Sequence, residues 1–156
     1  MMPRATVLPF ALLWALTTEP SCSRGVGTPN RIPRVDKVVA QVLSSGAGAV
    51  YLRIANESEA ADVLESVEVP RAADAQLHEM IEDGELSTMR PAPNGFPIAP
   101  KGTLSLQRGG KHVMLFGVKD PEHVVRLELR LRFKRAGVIA VVAPVRRGIA
   151  LGEVEQ

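Results

Sequence analysis

Histidine and methionine are concentrated in about a quarter of this chain of 156 residues. Beyond the N-terminal segment the sequence contains three histidines and three methionines, and five of these six side chains fall between residues 78 and 114: His78, Met80, Met89, His112 and Met114. Imidazole and thioether are uncharged ligands, and together they suit a soft cation such as Cu(I). The residue types therefore predict a copper site within this stretch.

The spacing of two histidine–methionine pairs is that of a β-strand. Alternate residues of a strand project from the same face, so His112 and Met114 should point in one direction. His78 and Met80 have the same spacing. Gly109-Gly110 lies just before His112, separated from it by Lys111, and allows a tight turn there. Each pair thus predicts one nitrogen and one sulfur ligand on a shared strand face.

Met89 is a second candidate for the sulfur beside His78. It follows Gly84, where a hairpin would return the chain alongside the strand of His78. Strand geometry alone leaves Met80 and Met89 as equal candidates. Two imidazoles and two thioethers favour Cu(I) over zinc, which prefers thiolate, imidazole or carboxylate.

Ordinary structural roles are the alternative for each of these residues. A single buried methionine usually fills a core, and a single histidine is usually solvated. The concentration of these residue types in one stretch is what favours a metal site over a metal-free exported β-sandwich that serves as a binding module. His123 stands apart in the Asp120–His123 loop and is interpreted as a surface residue.

The motif in this stretch resembles that of the PCuAC-type periplasmic copper chaperones. The resemblance rests on Leu77-His78-Glu79, on Met89-Arg90, and on the turn and strand from Gly109 to Leu115, in that order. It extends more weakly from Val50 to Val145, and includes Asn56 and the proline-bounded segment 96–100.

The resemblance implies a cupredoxin-like Greek-key barrel or sandwich that is not an enzyme. It also implies Cu(I) as the bound ion, transferred by ligand exchange to the copper centre of cytochrome c oxidase, with its subunit II or its assembly factors as partner. General periplasmic copper buffering is the alternative role. The ligand positions that match the motif are His78, Met89, His112 and Met114. Some members carry a tail rich in histidine and methionine, and residues 146–156 of this chain do not resemble it.

Short β-type runs separated by turns every eight to twelve residues also predict an all-β sandwich or barrel of seven or eight strands. The clearest runs are Val50–Ala55, Val63–Val69, His112–Val118 and Leu127–Phe133, the last pairing with Val138–Val142 across a turn at 135–137. Residues 91–100 hold four prolines and predict a rigid loop. Glu82-Asp83-Gly84 predicts another turn.

The N-terminal segment predicts export. Residues 1–23 combine Arg4 with an apolar run of about a dozen residues, as in a signal peptide, and the run is shorter than the roughly 20 residues of a membrane span. Residues 24–34 predict a linker, 35–145 the copper-binding domain, and 146–156 a polar tail. Lipid anchoring at Cys22 is the alternative to simple periplasmic export, although the residues before it fit a lipoprotein site poorly.

Composition excludes several classes of function. The charge of +2 is spread over alternating arginines and aromatics make up 4%, so no nucleic-acid surface is predicted. Cys22 is the only cysteine, so neither a disulfide framework nor the thiolate of a blue-copper electron carrier is available in the predicted domain. No catalytic triad, carboxylate pair or nucleotide loop is apparent.

Overall fold

The computed structural model describes residues 32–83 and 86–147 as strands joined by loops. The strands are β1 Arg34–Val42, β2 Gly48–Ala55, β3 Asp62–Glu68, β4 Asp74–Asp83, β5 Leu86–Pro91, β6 Phe96–Ile98, β7 Thr103–Leu106, β8 His112–Phe116, β9 Arg126–Phe133 and β10 Gly137–Arg146. The described residues contain no helix, and so none that could cross a membrane. The predicted leader with Cys22, linker residues 24–31 and tail residues 148–156 lie outside the described ranges.

The strands form two layers that are joined along one seam. The first layer has the order β5-β4-β8-β2-β1, with β7 also paired to β2, and the second has the order β10-β9-β3-β6. Neighbouring strands are antiparallel, except that β1 and β10 pair in parallel where the two layers meet. The all-β sandwich predicted from the strand spacing is confirmed, but the described residues form ten strands and not the seven or eight expected.

Alternation of apolar and polar residues explains how the layers enclose a core. In β9 every second side chain, Leu127, Leu129, Leu131 and Phe133, is buried, while the residues between them are exposed. Val50, Leu52 and Ile54 of β2 face the same core cluster from the first layer. Burying one such side chain contributes about 1.5–3 kcal/mol, so this alternation fixes which face of each strand turns inward.

The run Val63–Val69 suggests strict alternation of inward and outward residues, but β3 does not follow it. A bulge shifts the register against β9 between Leu64 and Ser66. The core positions of this strand are therefore Leu64 and Val67, which are three residues apart. The extra residue reverses the inward face at mid-strand, and local sequence does not reveal it.

The proline-rich segment also differs from its prediction. Residues 96–98 form β6, which pairs with β3 at the edge of the second layer, where a proline is tolerated because one side of the strand needs no partner. Gly95, at a φ of 71°, leads into this strand, where a Cβ atom would collide with the backbone of Leu64. Glu82 and Asp83 remain in β4 rather than forming a turn, and Gly84 lies outside the described residues.

Candidate metal centre

The two histidines of the motif face each other across neighbouring strands. His78 is the direct partner of His112 in the ladder between β4 and β8, and their ring centroids are 6.0 Å apart. Both side chains lie on the face opposite to Leu77 and Val113, which point into the core. Each histidine is nevertheless only 8% exposed. The outer face of the first layer therefore shelters an imidazole pair.

Met89 reaches this pair from the edge strand. Its Sδ atom lies 3.2 Å from Nε2 of His112. Since β5 neighbours β4 and not β8, the methionine side chain must extend across β4, and adjacent strands are about 4.8 Å apart. Met89 remains 44% exposed. This residue thus contacts His112 while staying accessible from solvent.

The other two methionines lie on the same face. Met114 is two residues along β8 from His112, is half-buried and pairs with Gln76 of β4. Met80 pairs directly with Met89 and is also half-buried. The structure therefore brings together three of the four predicted ligands and places Met114 and Met80 one register position away.

His123 lies outside this cluster. Its side chain is 80% exposed, and its Nδ1 atom is 2.7 Å from a carboxylate oxygen of Asp120 in the same loop. The position agrees with its interpretation as a surface residue. It therefore provides a histidine against which changes at the cluster can be compared.

The proton of His112 is held away from Met89. Nδ1 of His112 lies 3.0 Å from the carbonyl oxygen of Gly110, and a carbonyl can only accept a hydrogen bond. Nδ1 therefore donates, which leaves Nε2 with a free lone pair facing the sulfur. Gly109 makes this geometry accessible because its φ of 73° turns the chain just before β8. Two electron-pair donors thus face each other without a hydrogen between them, as the ligands of a metal ion do.

His78 presents a second free nitrogen. Its Nε2 atom donates to Oε1 of Gln76 at 3.1 Å, so Nδ1 carries the lone pair. Nδ1 is buried and has no hydrogen-bond partner within the described part of the chain. Leaving a buried polar atom unsatisfied costs about 1–3 kcal/mol. A cation bound at this nitrogen would remove that cost, so the donor set fits a metal ion.

The surroundings keep His78 neutral. Burial lowers the pKa of its imidazole below the usual 6.5, and the nearby ring of His112 lowers it further. A neutral imidazole is the form that binds metal, whereas a protonated ring cannot. At neutral pH the imidazole of His78 is therefore in the form that a metal ion would require.

The copper-free protein should lose stability as the pH falls below 6.5, which is the ordinary pKa of His78. Because folding lowers the pKa of this group, the unfolded chain binds the proton more readily, and stability rises with pH across the window below 6.5. We expect His78→Gln to flatten the dependence of the unfolding temperature on pH between pH 5 and pH 7.5. Equal slopes for this variant and the wild type would contradict the assignment.

The ligand chemistry separates this site from common alternatives. The described residues contain no group of three or more His, Cys, Asp or Glu side chains placed to hold a metal ion. Sites for zinc, calcium or magnesium are built largely from such residues. The histidines and methionines of this face supply neutral nitrogen and sulfur instead, which is the combination that suits Cu(I).

Several solved PCuAC domains share this fold. The apo PCuAC domain from PmoF1 is 22% identical, with 78% of this chain and 98% of that chain covered at a TM-score of 0.62. The copper-bound PCuAC domain from PmoF2 is 18% identical over 78% and 97%, at a TM-score of 0.61. The Cu(I) form of DR1885 from Deinococcus radiodurans is 28% identical over 81% and 85%, at a TM-score of 0.58. The fold is therefore the cupredoxin-like β-sandwich of PCuAC domains, as predicted.

Sequence comparison adds a family. Residues 34–145 match the family described as "Putative lipoprotein LpqE-like", and the chain belongs to this family. A protein of Leifsonia xyli subsp. xyli that bears the name "putative lipoprotein" is 31% identical over 114 residues, which are 72% of this chain and 69% of that protein.

Gln76 is the site residue that sequence reasoning missed. It contacts His78 and lies two residues before it, so strand alternation places both side chains on one face. That spacing could have marked Gln76 as a neighbour of the site. The hydrogen bond between Gln76 and His78 depends on the orientation of both side chains, which the two-residue spacing in the sequence does not determine.

Proposed function

We propose that this protein is an exported copper chaperone that binds Cu(I) and passes it to an extracytoplasmic acceptor. The proposed ligands are His78, Met89, His112 and Met114. The observation that carries the proposal is the contact of 3.2 Å between Nε2 of His112 and the sulfur of Met89, with the ring of His78 at 6.0 Å from that of His112 and its Nδ1 atom buried without a partner among the described residues. Together with Met114, these side chains would offer uncharged nitrogen and sulfur ligands to the ion.

The same ligands suit transfer of the ion. Thioethers need no deprotonation and bind weakly, and they do not oxidise to disulfides outside the cytoplasm. Met89 is the exposed member of the set. We infer that an incoming ligand from the acceptor displaces this methionine first, while the buried histidines retain the ion until a second ligand arrives.

The comparisons support copper as the cargo. PmoF2 has a copper-bound PCuAC domain, and DR1885 has a structure with Cu(I). The proposed acceptor is the copper centre of cytochrome c oxidase, reached through its subunit II or its assembly factors, and the proposed location is the periplasm. The lipoprotein names of the family and of the Leifsonia protein favour attachment to a membrane through Cys22.

An anaerobic Cu(I) titration of the full chain, followed by X-ray absorption, tests the metal site. We expect one Cu(I) per chain with both nitrogen and sulfur neighbours. At free Cu(I) about 1,000 times the dissociation constant, unfolding should cost about 4 kcal/mol more than in the copper-free protein. Zn(II) is the control and should bind much more weakly. Absence of uptake, or a coordination shell without sulfur, would refute the proposal.

Transfer to an acceptor separates delivery from buffering. Copper-loaded protein is mixed with a copper-free soluble domain of oxidase subunit II, and the copper content of each protein is followed after separation. A chaperone should transfer copper faster than it releases copper to a small chelator, because the acceptor displaces ligands directly. Equal rates would favour the buffering role.

A further inference from the structure

Three side chains on the outer face of β4 fix the proton of His78. Asp74, Gln76 and His78 are two residues apart and so share this face. Oδ2 of Asp74 lies 2.6 Å from Nε2 of Gln76, and Oε1 of Gln76 lies 3.1 Å from Nε2 of His78. A carboxylate only accepts hydrogen bonds, so the amide nitrogen of Gln76 must face Asp74 and its oxygen must face the imidazole. That oxygen also only accepts, and the proton therefore lies on Nε2 of His78.

The first member of this line is itself oriented by the backbone. The other oxygen of Asp74, Oδ1, accepts a hydrogen bond from the amide of Ala75 at 2.8 Å. Both oxygens of this carboxylate are thus used, and their direction is set at the start of β4. Donor and acceptor roles then follow in one order along the face, from Asp74 through Gln76 to the imidazole.

We propose that Gln76 is the positioning residue of the copper site, and that with Asp74 it holds His78 in the tautomer whose Nδ1 atom binds Cu(I). This inference rests on the proposed function and extends it. It assigns unlike atoms to the two imidazoles: His78 binds through Nδ1 and His112 through Nε2. In each ring the other nitrogen donates to a protein oxygen, an arrangement that fixes and strengthens histidine ligands in metal sites.

The need for such a partner follows from the burial of Nδ1. In the opposite tautomer a proton would occupy this buried atom, and the atom could not bind copper. A side chain at position 76 without an acceptor would leave the ring free to exchange tautomers or to rotate. Gln76 is exposed and lies on the solvent-facing side of β4, so it can be replaced without disturbing the core.

Nitrogen NMR of the imidazole rings in the copper-free full chain tests the assignment. At pH 8 we expect His78 of the wild type to carry its proton on Nε2 alone. In Gln76→Leu the resonances of the two ring nitrogens should move towards each other as tautomers mix, and Cu(I) affinity should fall by about 10- to 100-fold. The matched control is Gln41→Leu. Gln41 lies in β1, and its side chain accepts a hydrogen bond from Arg108 at 3.3 Å instead of contacting His78. It should change neither measurement.

A double substitution tests the order of donors and acceptors. Asp74→Asn combined with Gln76→Glu keeps the net charge and the order: the new amide at position 74 donates, and the new carboxylate at position 76 accepts from Nε2 of His78. We expect this variant to retain the wild-type tautomer and to bind Cu(I) far more tightly than Gln76→Leu.

Two results would overturn the inference. One is a wild-type spectrum with the proton on Nδ1 of His78. The other is a folded Gln76→Leu variant with unchanged tautomer and unchanged affinity. Failure of the proposed function is distinguishable from both, because the wild type would then take up no Cu(I) while the ring resonances of His78 still respond to the change at Gln76.

Discussion

Replacing His112 and Met114 together by alanine should abolish Cu(I) uptake, with affinity falling by roughly 100-fold or more. Loss of a residue that merely supports a metal ligand costs about 10- to 100-fold, and this variant loses two proposed ligands. The fold should survive, because Val113 and Leu115 on the other face of β8 carry the core packing of this strand. A competition titration against a Cu(I) chelator of known affinity measures the effect.

The matched control for this variant exchanges the same residue types outside the proposed set. His123→Ala with Met80→Ala removes an exposed histidine and the methionine that pairs with Met89. We expect uptake of one Cu(I) with nearly unchanged affinity. Loss of binding in the control would indicate that Met80 is a copper ligand. It would refute the proposal that Met89, and not Met80, supplies the sulfur beside His78. Unimpaired uptake after the changes at positions 112 and 114 would exclude the site as a whole.

Asn56→Ala should lower the free energy of unfolding by about 3 kcal/mol or more. Asn56 is 2% exposed, and its amide nitrogen donates to the carbonyls of Ala60 at 2.8 Å and Ala99 at 3.1 Å. Its amide oxygen accepts from the backbone of Ser58 at 3.1 Å and from the hydroxyl of that residue at 2.7 Å. Alanine leaves the backbone N–H of Ser58 without a partner, at about 1–3 kcal/mol, and removes one hydrogen bond from each of the carbonyls of Ala60 and Ala99, at about 0.5–1.5 kcal/mol each. Urea denaturation measures the loss.

Asn94→Ala provides the matched control, because this exposed asparagine lies between β5 and β6. Its stability should stay within about 0.5 kcal/mol of the wild type. The Asn56 variant should still bind one Cu(I) under native conditions, since Asn56 ties the end of β2 to loops that do not carry the proposed ligands. Equal destabilisation by both changes would show that the hydrogen bonds of Asn56 do not contribute as described.

The sequence predicts the strands whose two faces differ most. Leucines alternate with charged residues along β9, and the buried and exposed positions follow that alternation without exception. The hairpin to β10 was also predicted, because a short turn at 135–137 links two such runs. In both cases the information is local, since the preference of each side chain for core or solvent decides the structure.

Features that depend on neighbouring strands were missed. The bulge in β3 is defined by its register against β9, and the sequence of residues 62–68 alone does not predict it. β6 becomes a strand because the edge of β3 is available, despite Pro97 in its middle. Pairing with a distant strand overrode local propensity at both places.

The candidate site shows the same division. Strand spacing predicts that His78 shares a face with Met80, and that His112 shares a face with Met114. It does not predict that the two histidines are direct partners, because that depends on the register between β4 and β8. Nor does it predict that Met89 reaches across β4. The choice of Met89 over Met80 came from the motif, and it stays a prediction to be tested by substitution.

The parallel pairing of β1 with β10 has a mechanical consequence. Ala40 lies beside Val145, so Arg34 and Arg146 are at opposite poles of these strands, roughly 20 Å apart at the usual rise per residue. A stretching force applied between Arg34 and Arg146 would act parallel to the two strands. The hydrogen bonds between β1 and β10 would then be loaded in shear and would resist the force together, instead of breaking one after another. A surface linkage before Arg34 and a fusion tag after Arg147 would also leave the domain in opposite directions, without crowding each other.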